Sequence, residues 1–71
     1  MSENTKIWLL TMLHNEIEEV NGTISNNRIW AKGSDTFEDV SMYEDNIADL
    51  EEYKQTLEEL KNQIEEGTFN V

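Results

Sequence analysis

From Tyr43 onward the apolar residues fall at steps of three and four: Tyr43, Ile47, Leu50, Tyr53, Leu57, Leu60 and Ile64. An α-helix gathers such positions onto one stripe, and the positions between them are mostly Glu, Asp, Gln and Lys. Tyr43, Leu50, Leu57 and Ile64 recur every seven residues, the period of helices packed along a seam. The chain contains no proline, so nothing forces a long helix to break. Ser34-Asp35-Thr36 supplies three side chains suited to capping a helix start, and Glu38 lies three residues after Asp35 as a reciprocal cap requires. Asp35, Glu38 and Asp39 set negative charge against the positive end of the helix dipole. The sequence predicts a helix over residues 36–66, stopped at Gly67, with 67–71 as a frayed tail.

In the first half, Leu10, Leu13, Ile17, Val20 and Ile24 step in the same way, and Ser2, Asn4 or Thr5 can cap the start. Asn21-Gly22 is a turn-prone pair, and Ser25-Asn26-Asn27 also disfavours helix. Two readings remain open. Either one helix runs over about 5–32 and ends at Gly33, or a helix stops near 21 and a short piece covers 28–32. The continuous helix is preferred, because its length matches the second and lets the two pack antiparallel throughout. The expected fold is all-α: an antiparallel two-helix hairpin in a single domain, assembling into a bundle by oligomerisation.

Oligomerisation is expected from size. A chain of 71 residues buries too little of its surface for a secure core, and small folds compensate with disulfides, a metal or association. There is no cysteine and only one histidine, His14, so disulfides and a zinc site are both excluded within one chain. No cofactor is implied. Ile7-Trp8-Leu9-Leu10 is apolar almost all round a helix, and Ile7, Trp8, Leu9 and Met12 cannot all face one partner helix. That patch marks a surface for self-association, giving a homo-oligomer of two or more chains.

The net charge is −11 and unevenly spread. Residues 1–32 carry four acidic and three basic side chains, whereas 33–71 carry twelve acidic and two basic. Nucleic acid and anionic membranes would be repelled, because such binding neutralises phosphates with Lys and Arg. A protein partner with a basic surface is favoured instead. Asp45, Asp49, Glu52 and Glu59 are the expected partner-binding acidic face. Ile7 to Leu13 is too short to span a bilayer and lacks a secretory signal's flanks, so a cytoplasmic location is expected.

Three constellations could carry chemistry. His14 and Glu18, four apart, could face one ion, but two ligands do not complete a metal shell, and a solvated pair explains them better. Carboxylates on the second helix could serve as acid and base only inside a pocket that shifts their pKa, which a two-helix chain does not offer. Arg28, Trp30 and Lys32 form the only basic and aromatic island, a possible anion or nucleotide site, although pairing with Asp35 or Glu38 at the hairpin tip explains it more simply. With no phosphate loop, catalytic triad or calcium loop, the chain is expected to be non-enzymatic.

Ile29-Trp30-Ala31-Lys32-Gly33-Ser34-Asp35-Thr36, followed by Met42, Asn46-Ile47 and Leu50-Glu51-Glu52-Tyr53, resembles small uncharacterised acidic helical proteins of phages and prophages of Gram-positive bacteria, over about half the chain. The resemblance implies origin rather than activity. Such proteins include inhibitors of host defence that imitate DNA or sequester nucleotides. The expected function is therefore blocking of a host protein through the acidic helix face. The alternatives are an oligomeric nucleotide sponge built on Arg28, Trp30 and Lys32, or a structural helical oligomer.

Overall fold

The structure, a computed structural model, describes residues 1–67; the tail expected beyond Gly67 lies outside the described residues. Two α-helices of equal length, α1 (Glu3–Lys32) and α2 (Phe37–Glu66), pack along each other, and no strand occurs among the described residues. They run antiparallel: Glu16 meets Tyr53, Asn27 meets Asn46 and Trp30 meets Tyr43. The result is a rod of 51 × 16 × 13 Å.

Each end of each helix is closed by a specific group. The Ser2 hydroxyl accepts the Thr5 N–H at 3.1 Å, so α1 starts two residues earlier than the stripe suggests. At the tip the three hydroxyl and carboxyl candidates divide the work. Thr36 is the N-cap of α2, accepting the Asp39 N–H at 3.2 Å. The helix therefore begins at Phe37, and the reciprocal Asp35–Glu38 cap does not form. Ser34 instead closes the end of α1: its hydroxyl donates to the Trp30 carbonyl at 2.7 Å, and its N–H to the Ala31 carbonyl. With the Gly33 N–H on Ile29, three orphan carbonyls of the last turn are satisfied within two residues. Gly67 ends α2 at φ +75°, the left-handed conformation that glycine adopts without a Cβ clash.

α1 does not break at Asn21-Gly22. Val20 and Ile24, on either side of the pair, are both buried against α2. Ending the helix there would take Ile24 out of the seam at roughly 2 kcal/mol, more than the roughly 1 kcal/mol a helical glycine costs. Tertiary burial overrides local preference. Ile17, Val20, Ile24 and Leu57 form the core, with Leu13, Ile47 and Leu50 packed on its rim. Ile64 is buried near the open end, but among the described residues no large side chain is fully enclosed.

One seam position is polar. Asn27 follows Leu13 and Val20 at steps of seven and is only 4% exposed. Its amide nitrogen donates to the Thr23 carbonyl at 2.8 Å, and its oxygen accepts from Asn46 across the hairpin at 3.4 Å. A hydrophobic side chain there would bury more and specify less, since a polar pair in a seam fixes register at a cost in stability. Two substitutions test these accounts. Gly22→Ala, at a site where a Cβ meets nothing within 4 Å, should stabilise the fold by about 1 kcal/mol in thermal denaturation. Asn27→Leu should also raise the melting temperature, by a similar ~1 kcal/mol, and should leave exposed Asn46 to water.

Candidate functional site

Because each helix contributes only one stripe to the seam, the hairpin has two broad flanks. Steps of seven identify them. On α1, Ile7, His14, Asn21 and Arg28 lie on one flank, and Leu9, Glu16, Thr23 and Trp30 on the other. On α2, Lys54 and Lys61 belong to the Arg28 flank, while Asn46, Tyr53 and Leu60 belong to the Glu16 flank. The cross-helix bonds establish the match: Arg28 reaches Glu51 at 2.9 Å on one side, and Tyr53 donates to Glu16 at 3.2 Å on the other.

The flanks differ in charge. Arg28, Lys32, Lys54 and Lys61, four of the chain's five Lys and Arg residues, lie on the first. Lys54 and Lys61 are half-buried, running their stems along the seam. Glu51 and Glu65 pair with Arg28 and Lys61, the latter at 4.0 Å. Both pairs are largely solvent-exposed and contribute little stability.

The acidic face lies on the back of α2. Glu38, Asp45, Glu52, Glu59 and Glu66 form one row at steps of seven, and Glu44, Glu51, Glu58 and Glu65 a second. All are exposed. Along the roughly 42 Å from Glu38 to Glu66 these nine carboxylates average one charge per ~5 Å, against ~3.4 Å for one strand of DNA. Asp49, also exposed, stands apart from both rows and turns towards the Glu16 flank. Of the four residues singled out by sequence, Asp45, Glu52 and Glu59 are therefore aligned and Asp49 borders them. The first row and its neighbour Glu44, Glu58 were legible from the same heptad spacing.

The basic and aromatic island is not gathered into one site. Arg28 is held by Glu51, not by Asp35 or Glu38. Trp30 lies on the opposite flank, tilted against Tyr43 with ring centroids 5.9 Å apart. Lys32 is exposed beyond them. Within one chain these three residues do not converge on a ligand. His14 and Glu18 are both exposed, and among the described residues no group of three or more His, Asp or Glu side chains is placed to hold a metal ion.

The apolar N-terminal patch is split. Leu9 and Met12, with Leu13, Glu16, Tyr53 and Leu57, line a shallow groove of about 330 Å³ on the Glu16 flank. Ile7 faces the Arg28 flank, and Trp8 points away from α2 altogether; both are more than half exposed. Tyr53 was legible in the stripe as a core residue, yet it is 45% exposed and forms the rim of the groove. Partial burial of the ring, then the charge of Glu16, its hydrogen bond and the charge of Glu19, hold the Tyr53 phenol above its usual 10.0.

Among the described residues no helix is long and apolar enough to cross a membrane. Comparison with protein-family models, curated proteins and solved structures finds no match to this chain.

The Tyr53 phenol gives a pH signature. Its pKa is higher in the folded than in the unfolded chain, so the stabilisation is complete below pH 10.0 and is lost as pH rises through the raised value. The melting temperature of the native protein should fall more steeply above pH 10 than that of Tyr53→Phe. Coincident curves would show that the Glu16–Tyr53 bond does not persist in solution.

Proposed function

We propose that the protein is a non-enzymatic interaction module of phage or mobile-element origin that binds and blocks a basic surface of a host protein in the cytoplasm. One observation carries this reading. Parallel rows of five and four exposed carboxylates run the length of α2 on a rigid helix, and among the described residues the ion pairs to them reach only Glu51 and Glu65. A rigid, preformed row of like charge attracts an oppositely charged surface and accelerates encounter. It also loses little conformational entropy on docking, since the backbone is already ordered.

The charge spacing sets the partner class. At about 5 Å per charge the face is sparser than a nucleic-acid strand but has the same sign and a comparable length, so proteins that grip phosphate backbones suit it best. A nuclease or repressor would meet Asp45, Glu52 and Glu59 with Arg and Lys, and would be blocked sterically and electrostatically. The resemblance of Ile29 to Thr36, Met42, Asn46-Ile47 and Leu50 to Tyr53 to acidic phage proteins supports the origin.

Capture from lysate of the phage's bacterial host, followed by mass spectrometry, tests the reading. The triple variant Asp45→Lys, Glu52→Lys, Glu59→Lys should weaken capture of the partner at least about tenfold at physiological salt, where screening already acts over ~8 Å. Raising salt to about 0.5 M should release the native protein, and duplex DNA should compete for the captured partner. Capture that survives both the triple variant and high salt would rule the acidic face out.

A further inference from the structure

The Glu16 flank is chemically unlike the rest of the surface. Near the open end it presents Leu9, Met12, Leu13, Tyr53 and Leu57 around a groove. Near the tip it presents Trp30, half exposed against Tyr43, with Met42 beside them. Glu16 also lines the groove, and between it and the tip lies a polar belt of Glu19, Thr23 and Asp49. None of the four cations described above lies on this side. We propose that this flank is the contact between two copies of the chain, joined about a two-fold axis with their tips at opposite ends, to make an antiparallel four-helix bundle.

Three observations point to a second copy as the occupant. The first is self-complementarity. The registers Asn27–Asn46 and Trp30–Tyr43 place Val20 and Tyr53 at nearly the same height. A two-fold axis at that height sets Trp30 of one copy over the groove between Leu9 and Leu13 of the other, a bulky knob opposite a hollow. It also sets Glu16 opposite Thr23 and Asp49 opposite Thr56, with the two Glu16 side chains about 12 Å apart along the rod, while the exposed Glu19 carboxylates of the two copies come level at the edge of the contact. Joining the tips at the same end instead would stack the Trp30–Tyr43 pairs on each other and leave two grooves face to face.

The second observation is area. The broad side of a rod measuring 51 × 16 Å offers about 800 Å², the share each partner contributes to a standard interface. The chain exposes 5368 Å², whereas a compact monomer of 8.3 kDa exposes about 4600 Å². The third is charge. Both carboxylate rows of α2 stay outside such a bundle, and the dimer displays two acidic faces. The dimer therefore stands or falls independently of the acidic-face reading.

Light scattering and sedimentation across dilution should give twice 8.3 kDa at micromolar concentration. Met12→Glu, at a site already two-thirds exposed, and Trp30→Ala should each raise the dissociation constant at least about tenfold. Trp8→Glu, on the outward face, should change it less than about twofold, and circular dichroism should show all three variants helical. The absence of cysteine allows a spin label at Asp35→Cys, near the tip. Tips at opposite ends place the two labels about 40 Å apart, tips together about 15 Å. A native monomer at about 100 μM, another stoichiometry, a short label distance, or a dimer broken by Trp8→Glu and not by Met12→Glu would each overturn the proposal.

Discussion

Everything in this molecule follows from the single seam between two helices. A helix in a larger bundle can bury two or three faces, whereas each helix here has one neighbour and buries one stripe. That stripe supplies Ile17, Val20, Ile24 and Leu57, with Leu13, Ile47 and Leu50 at its edges, and no side chain in it is sealed from solvent on all sides. The radius of gyration is 15.8 Å, against about 11 Å for a compact chain of this length. Stability is spread thinly along a rod, and each interaction that aligns the two helices matters more than it would in a globular core.

Alignment depends on few groups. Asn27 and Asn46 fix the register near the tip, where a slip by one turn would leave the buried Asn27 amide without its cross-helix partner. The tip itself is four residues, 33–36, in which Ser34 closes one helix and Thr36 opens the next. Such a short, fully bonded connection leaves the helices little freedom to pack in any direction but antiparallel.

The seam also decides where charge can go. The core stripe holds no carboxylate, and nine of the twelve after Gly33 fill the back of α2 in two rows. The cations flank the seam on one side, their stems covering its edge and two of their heads paired with Glu51 and Glu65. What remains is a second flank with little charge and two apolar clusters. A rod with a negative back, a neutralised side and an apolar side has a different chemistry for each contact it makes. The basic partner and the second copy proposed above would therefore use separate surfaces.

Helical periodicity by itself determined α2 and its acidic back, and the helical character of α1, because step-of-three-and-four spacing and heptad recurrence gather apolar residues onto one stripe of a helix. It also placed the end of α1 at Gly33. Local chemistry alone could not choose between a continuous α1 and a break at Gly22, since propensity favoured the break and only contact with α2 outweighs it. Nor could it show that Asn27 is a seam residue, because a turn-prone Ser25-Asn26-Asn27 and a buried polar pair look the same until the opposite helix supplies Asn46. Helical spacing alone sets Arg28 and Lys32 on one face with Trp30 turned away, whereas the pairing of Arg28 with Glu51, and the sorting of Leu9 and Met12 from Ile7 and Trp8, were decided by tertiary structure. A lone helix has no flanks; they exist only once a second helix defines which direction is inward.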